Sequence, residues 1–194
     1  MITDVFSYKF YKSQLSNNLI LQKLELNYTN LNFEELKGTL ATPIREDFSF
    51  EDWWKFYQTE ITSGLAELGI NKKYFKKDIW CSVYTNNSEL SVHDHGTDGI
   101  IGMHYVKFKQ NIHPPTRFYD SANKELFLDF EVSEQDFILT PSEIFHSVSP
   151  NLSEDPRIVV VFKIIFDSQI ETEIIDLDSN KLQSVIQTTL LPTI

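Results

Sequence analysis

Two histidines that flank a single aspartate mark the stretch "LSVHDHGTDG", residues 90–99. In an extended segment, side chains two positions apart lie on one face, so His93 and His95 can converge while Asp94 points away. Neutral imidazoles at this spacing suit a divalent first-row metal such as iron, zinc or copper. His146, in "TPSEIFHSVSPN", is the candidate for a further ligand. The spacing predicts a metal site at His93, His95 and His146; solvated loop histidines are the alternative interpretation.

Arg157 is the second residue whose position indicates chemistry, because it opens the most apolar run of the chain, "RIVVVFKIIF". An arginine at the start of a buried strand needs an anionic partner, since it cannot give up its charge. The planar guanidinium fits a carboxylate through two parallel hydrogen bonds. The sequence leaves two partners open: the carboxylate of a ligand, or a salt bridge to Glu154 or Asp155.

Composition limits the class of protein. A chain of 194 residues with 41% hydrophobic residues can form one domain with a substantial core. A net charge of −11 argues against a nucleic-acid partner, which requires a basic surface. The opening "MITDVFSYKFYK" alternates instead of forming a secretory leader, and no apolar run approaches the roughly 20 residues of a membrane span. With the lone Cys81, these features predict a soluble cytoplasmic protein without a membrane partner.

The elements that must position these residues fall into two groups. The first part of the chain predicts a short strand at "VFSYKFY" and helices over residues 14–26 and 49–69, the second ending at Gly69. Its apolar residues recur at helical spacing and predict one buried face: Trp53, Phe56, Tyr57, Ile61, Leu65 and Leu68. The tail, residues 171–192, predicts a strand and then a short helix.

From Ile79 onward the pattern changes to short β-branched and aromatic runs separated by turn residues. Because helical crossovers have no room between them, these runs predict an antiparallel sandwich or jelly roll within an α+β chain. The predicted strands are "IWCSVY", "GIIGMHYVKFK", "TRFYD", "ELFLDFEV", "DFILT", "FHSVS" and "RIVVVFKIIF". We expect a single domain over 1–194, with mainly helical support in 1–78, the β core in 79–166 and the terminal elements in 167–194.

Four segments together resemble a known family. "VYTNNSELSVHDHG", "IGMHYVKF", "EQDFILTPSEIFHSVSPN" and "RIVVVFKI" are similar, in this order, to motifs of the Fe(II)- and 2-oxoglutarate-dependent oxygenases. The resemblance covers roughly residues 79–166 and is greatest for prolyl-hydroxylase-like members of the kind found in marine phages and bacteria. It implies a double-stranded β-helix with N-terminal buttressing helices, in the cytoplasm of the host cell if a phage encodes it.

The resemblance also implies roles for individual residues. His93 and His146 match the two histidine ligands of iron, and Arg157 matches the arginine that pairs with the distal carboxylate of 2-oxoglutarate. Tyr84 and Tyr105 match tyrosines that line the co-substrate pocket. The implied reaction uses O2 and 2-oxoglutarate to hydroxylate a C–H bond of a peptide, a protein or a small molecule, and releases succinate and CO2. His104 and His113 have no implied role and are predicted to be a packing residue and a surface loop residue.

The chain departs from the family at His95, where most members carry aspartate or glutamate. Three histidines give three neutral ligands, whereas the usual two histidines and one carboxylate include an anion. Asp94, or Asp98 from the same segment, could instead supply the third ligand. Two other functions stay open: a cupin-like metalloenzyme with three histidines and no 2-oxoglutarate, and a non-catalytic jelly-roll protein for binding or assembly. The sequence does not determine the oligomeric state or the substrate.

Overall fold

The computed structural model describes residues 8–15, 40–43, 50–71, 74–97 and 99–166. Within them the chain forms nine strands and one helix. In order these are β1 (Tyr11–Gln14), β2 (Leu40–Pro43), α1 (Phe50–Glu67), β3 (Tyr74–Tyr84), β4 (Leu90–His93), β5 (Gly99–Lys107), β6 (Thr116–Tyr119), β7 (Asp136–Pro141), β8 (Phe145–Val148) and β9 (Arg157–Phe166). The helix predicted over 14–26 and the predicted tail elements lie outside the described residues.

Two antiparallel sheets make up the β structure. The larger has six strands in the order β1-β7-β5-β9-β3-β2, and the smaller has three in the order β4-β8-β6. Every pairing is antiparallel. The predicted antiparallel sandwich is therefore confirmed. The assignment of mainly helical support to residues 1–78 stays a prediction, since the described part of that range contains β1, β2 and the start of β3 besides α1.

Strand β9 lies between β3 and β5 and separates the two halves of the interior. Alternate side chains of a strand point to opposite faces of the sheet. Ile158, Val160 and Phe162 face the cluster that packs on α1, while Val159 and Val161 face the other cluster. Because both faces are covered, nearly all of β9 is buried, which explains its continuous apolar sequence.

Helix α1 covers the outer face of the larger sheet. Four residues of its predicted apolar stripe are buried, namely Trp53, Tyr57, Ile61 and Leu65, and Phe56 and Leu68 are partly buried. Full burial of an aliphatic side chain such as Ile61 or Leu65 contributes about 1.5–3 kcal/mol to folding. Gly64 allows close approach, because a Cβ there would lie 2.5 Å from Cδ1 of Leu139 on β7. The predicted burial of the stripe is confirmed.

The helix ends at Glu67, and the predicted stop residue Gly69 lies in the turn that follows, with a φ of 75° in the left-handed region that glycine adopts without strain. The amide of Gly69 donates to the Ala66 carbonyl, and the amide of Ile70 donates to the Leu65 carbonyl. These two bonds satisfy carbonyls that the last turn leaves without helical partners. No helix in the described part of the chain has both the length and the apolar character needed to span a bilayer.

One predicted strand is wrong. "ELFLDFEV", residues 125–132, forms only an isolated bridge between Glu125 and Tyr119 and otherwise has no ladder. Its alternation arises because Leu126, Leu128 and Phe130 pack against the inner cluster, while Phe127 is 93% exposed. One-sided burial produces the period of a strand here without a neighbouring strand to pair with.

Candidate metal and co-substrate site

A cavity of about 320 Å³ contains all the predicted site residues except Tyr105 in its lining. The larger sheet contributes side chains from β3, β5 and β9, and the smaller sheet contributes side chains from β4, β6 and β8. The lining residues are Trp80, Ser82, Tyr84, Leu90, His93, His95, Met103, Thr116, His146, Val148, Arg157, Val159 and Val161. Six of these thirteen residues are apolar, and the polar side chains other than Ser82 are concentrated in two places.

The first polar group is the set of three histidines. His93 on β4 and His146 on β8 are partners in the antiparallel register. His95 follows β4, and its backbone amide donates to the Ser142 carbonyl at 2.9 Å. One ring nitrogen from each of the three lies within 4.8 Å of the others. The structure therefore brings together His93, His95 and His146, which the sequence predicts as ligands.

Hydrogen bonds fix the tautomer of two of these rings. Nδ1 of His93 donates to the Ser91 carbonyl at 2.9 Å, and Nδ1 of His146 donates to the Ile144 carbonyl at 3.1 Å. A carbonyl can only accept, so in each neutral ring the proton is on Nδ1 and the lone pair is on Nε2. Both Nε2 atoms are thus available as metal ligands, oriented by a backbone hydrogen bond to the other nitrogen.

Burial favours the neutral form of two of the three imidazoles, those of His95 and His146. Burial, and then the neighbouring His146 and His93, lower the pKa of His95 to about 3. Burial also lowers the pKa of His146 to about 4, even though its hydrogen bond to Ile144 acts in the opposite direction. At pH 7 these two rings therefore carry lone pairs, which is the form that binds a metal.

Asp94 and His95 were alternative third ligands, and the structure distinguishes their positions. The Asp94 carboxylate accepts the Gly96 amide at 2.6 Å and is exposed. It is not part of the convergent group, whereas the ring of His95 lies 5.1 Å from that of His146 and 5.5 Å from that of Trp80. Residues 93 and 95 thus share a face as alternation in an extended segment predicts, although β4 itself ends at His93. Asp98 lies outside the described residues.

Arg157 is the second polar group of the cavity, and it is 1% exposed. Its Nη2 donates to Oγ1 of Thr116 at 2.7 Å, while Nε and Nη1 are buried without a hydrogen-bond partner. The guanidinium carbon lies 4.6 Å from the ring centre of Tyr84 and 5.4 Å from that of Tyr105. Aromatic faces attract the cation but do not neutralise it.

The alternative partners of Arg157 are engaged elsewhere. Asp155 pairs with Lys107 at 2.5 Å and with Lys109 at 2.7 Å, and these bonds lower the pKa of its carboxyl to about 2. Glu154 accepts a hydrogen bond from Asn86. No acidic residue in the described ranges forms an ion pair with Arg157. The salt bridge that the sequence left open is therefore not formed.

Thr116 is a site residue that sequence reasoning missed. Its Oγ1 accepts hydrogen bonds from Tyr105 Oη at 2.9 Å and from Arg157 Nη2, so its own proton is free to be donated. The signal was available, because alternation within "TRFYD" places Thr116 on the same inward face as Phe118 and directs Arg117 outward. Thr116 thus joins Tyr105 to the cavity although Tyr105 does not line it.

Asn151 is a second residue that sequence reasoning missed. It connects by hydrogen bonds the segments next to Tyr84 and Arg157. It is fully buried, and its Nδ2 donates to the Tyr84 carbonyl at 2.8 Å and the Asp155 carbonyl at 3.1 Å. Its backbone also exchanges hydrogen bonds with the turn at Asn87 and Ser88. The end of β3 is in this way fixed to the segment that leads into β9.

The two remaining histidines have structural partners. His104 is buried as predicted, with Nδ1 2.7 Å from Tyr57 Oη and Nε2 3.2 Å from Gln135 Oε1. The prediction that His113 is a surface residue is wrong, since it is 2% exposed. Its Nδ1 accepts the Lys109 amide and its Nε2 donates to the Asp155 carbonyl. The adjacent prolines suggested an exposed loop, but the bond to the distant Asp155 carbonyl holds the ring in the interior.

Comparison with solved structures identifies the architecture. A prolyl 4-hydroxylase from Pseudomonas putida is 10% identical, with a TM-score of 0.57 over 83% of this chain and 89% of its own. A viral collagen prolyl hydroxylase from Paramecium bursaria Chlorella virus 1, solved with 2-oxoglutarate, is 12% identical, with a TM-score of 0.58 over 81% and 96%. The fold is that of the Fe(II)- and 2-oxoglutarate-dependent oxygenases.

A third structure with the 2-oxoglutarate-oxygenase fold is a prolyl hydroxylase from Trichoplax adhaerens, bound to a peptide fragment of the oxygen degradation domain of hypoxia-inducible factor. It is 13% identical, with a TM-score of 0.52 over 81% of this chain and 83% of its own. No family model and no curated protein sequence matches the chain. The predicted double-stranded β-helix is confirmed, and so is the predicted likeness to prolyl-hydroxylase-like oxygenases, which rests on structure because sequence identity is so low.

Proposed function

We propose that this protein is an Fe(II)- and 2-oxoglutarate-dependent dioxygenase that hydroxylates a C–H bond. One observation carries the proposal: a convergent set of three histidines and a buried, unneutralised arginine share one cavity. A cupin-like metalloenzyme has no use for Arg157, whose isolated charge is costly unless a ligand completes it. A non-catalytic binding protein has no use for the histidines.

The donor set fits a divalent metal. In the proposal His93 and His146 bind it through Nε2, because Nδ1 of each ring is committed to a backbone carbonyl. His95 provides the third nitrogen, and its backbone bond to Ser142 keeps it beside the other two. Three ligands from one side leave positions for a chelating co-substrate and O2. Bound iron would relay electrons to O2 from 2-oxoglutarate, which is oxidatively decarboxylated to succinate and CO2, and from the substrate C–H bond, which is hydroxylated.

The polar groups at Arg157 fit the far carboxylate of 2-oxoglutarate. Nε and Nη1 supply two donors without a partner, and the Thr116 hydroxyl has a free proton. A carboxylate that accepts these bonds would neutralise the guanidinium, which is itself 1% exposed. Tyr84 packs on the guanidinium, and Tyr105 positions Thr116. These residues thus bind and orient the co-substrate while the histidines hold the metal.

The substrate in this proposal is a peptide, a protein or a small molecule. A prolyl residue of a peptide is the first candidate to test, since prolyl hydroxylases from a virus and an animal share the fold. Net charge gives no further information, because −11 also keeps a protein dispersed in solution.

The test measures succinate release by Fe(II)-loaded protein supplied with 2-oxoglutarate, O2 and pools of proline-containing peptides. We expect wild type to release succinate, Arg157→Ala to retain metal but release none, and Arg157→Lys to recover only part, since lysine lacks the planar fork. Arg117→Ala is the matched control, because Arg117 is exposed on β6 of the smaller sheet, does not line the cavity, and has its side chain 3.9 Å from Glu125. Equal succinate release by wild type and Arg157→Ala would refute the assigned role.

A further inference from the structure

With a divalent metal bound, the cavity would hold more positive charge than 2-oxoglutarate can neutralise. Its described lining contains one permanent cation, Arg157, and no aspartate or glutamate. A divalent metal on three neutral imidazoles would bring the total to three positive charges. 2-Oxoglutarate carries two negative charges, so one positive charge would remain. A carboxylate in place of His95 would cancel that charge, and the chain has none there.

The acidic residues near the cavity compensate this charge weakly. Asp94 is exposed, and its carboxylate is committed to the Gly96 amide, so water screens it. Asp78 is opposite Lys163 in the β3–β9 register and does not line the cavity. Asp155 is paired with two lysines. The residual charge therefore stays largely uncompensated among the described residues.

A second cation lies on the same face of the sheet. Lys163 is six residues beyond Arg157 on β9, and the period of two places it in line with Arg157, Val159 and Val161. At about 3.3 Å per residue the two cations are roughly 20 Å apart along the strand. Val161, two residues before Lys163 on this face, lines the cavity and is the register partner of Trp80, whose ring centre lies 5.5 Å from that of His95. Lys163 itself is not in the lining, and this register places it just beyond the histidine end of the cavity. No carboxylate among the described residues pairs with it.

We infer that the substrate carries a carboxylate or similar anionic group, which lies beside Lys163 when the reacting C–H bond is at the metal. This inference rests on the proposed function and specifies the chemistry of its substrate. An anionic group at the histidine end supplies the negative charge that His95 omits, and low-dielectric walls formed by Trp80, Met103 and Val161 strengthen the attraction. Small organic acids and acidic peptides offer the same group, and the experiment distinguishes them.

The first experiment uses Co(II)-loaded protein saturated with 2-oxoglutarate and follows the visible spectrum of the metal. It compares acetate with acetamide and benzoate with benzamide, pairs that differ chiefly in charge. We expect each acid to bind at least tenfold more tightly than its amide, equivalent to about 1.4 kcal/mol. His95→Asp, which restores the missing negative charge, should reduce that preference to near unity.

Lys163→Gln should reduce the preference for acids severalfold, whereas Lys55→Gln should not change it. Lys55 is exposed on α1, across the sheet from the cavity, and its replacement alters net charge equally. Equal binding of acids and amides by wild type, or the same preference in His95→Asp, would overturn the inference while 2-oxoglutarate binding persists. Failure of wild type to bind Co(II) and 2-oxoglutarate at all would instead overturn the proposed function. A preference unchanged in Lys163→Gln would overturn the role of that lysine.

The second experiment separates the two sources of the anion. Succinate release is measured with matched peptide pools in which Asp and Glu of one are replaced by Asn and Gln in the other, and with a pool of small organic acids. If only the acidic peptides stimulate succinate release, the substrate is a peptide. If only the small acids stimulate it, the substrate is a metabolite. Stimulation by the amide peptides to the same extent as the acidic ones would contradict the inference.

Discussion

Replacement of Arg157 by methionine should separate stability from co-substrate binding. The side chain is 1% exposed and has a single hydrogen bond, from Nη2 to Thr116, while Nε and Nη1 have no partner. Removal of a charged hydrogen bond costs about 1.5–3 kcal/mol, and loss of the Tyr84 and Tyr105 contacts costs roughly 0.5–2 kcal/mol each. Relief of the buried charge returns several kcal/mol. We therefore expect unfolding of the ligand-free protein to change by less than about 2 kcal/mol.

The ligand response should change much more. At a 2-oxoglutarate concentration of about 100 times Kd, binding stabilises wild type by about 2.7 kcal/mol. For a chain of this size each kcal/mol shifts Tm by about 2–4 °C, so the expected increase is roughly 5–11 °C. Arg157→Met should show less than about 4 °C, since loss of a buried charge partner weakens binding by about 2–5 kcal/mol and leaves less than about 1 kcal/mol of stabilisation at the same 2-oxoglutarate concentration.

Thermal unfolding of metal-loaded protein, with and without 2-oxoglutarate, measures both effects, and Arg117→Met controls for loss of an exposed arginine. A loss of more than about 4 kcal/mol in ligand-free Arg157→Met would show that the guanidinium is satisfied within the fold. An undiminished Tm increase with 2-oxoglutarate in that variant would show that the co-substrate does not bind Arg157. Either result refutes the reasoning.

Three further predictions concern the surrounding structure. Asn151→Ala leaves the Tyr84 and Asp155 carbonyls without their side-chain donor, so it should lower the free energy of unfolding by about 2–4 kcal/mol in urea titrations and weaken 2-oxoglutarate binding more than Co(II) binding. Tyr57→Phe removes a buried hydrogen bond across the helix–sheet interface and should cost about 1–3 kcal/mol in the same titrations, with no change in Co(II) affinity. The pKa of His146 is lowered to about 4. Metal-free protein should therefore lose stability as pH falls from about 6.5 towards 4, because in this range the unfolded chain takes up a proton that the folded ring does not. A Tm–pH profile equally steep in His146→Gln would contradict this.

Much of the fold was predictable because its signals are local. The α1 stripe and Gly69 define the helix, and continuous apolar residues mark β9 as a strand covered on both faces. Residues 125–132 show the limit of this reasoning, because alternation reports one-sided burial and does not report whether a partner strand exists. Pairing depends on distant parts of the chain, which no local window contains.

In the candidate site, the sequence indicated the two polar groups but not the residues that support them. The His-x-His spacing and Arg157 identified the two polar groups, and strand alternation gave the inward direction of His95. Thr116 and Asn151 escaped notice because their importance lies in hydrogen bonds to residues 41 and 67 positions away in sequence. The absence of a protein carboxylate beside Arg157 is likewise a three-dimensional fact, since Glu154 and Asp155 adjoin it in sequence and bind other residues.

Direct binding of 2-oxoglutarate tests the central claim most closely. Under anaerobic conditions, Fe(II)-loaded wild type, His146→Ala and Arg157→Ala are titrated with 2-oxoglutarate, and bound metal is measured in parallel. We predict one equivalent of 2-oxoglutarate bound by wild type, loss of both metal and 2-oxoglutarate in His146→Ala, and loss of 2-oxoglutarate with metal retained in Arg157→Ala. Wild-type protein that binds Fe(II) but no 2-oxoglutarate, or Arg157→Ala that binds it as tightly as wild type, would contradict the account.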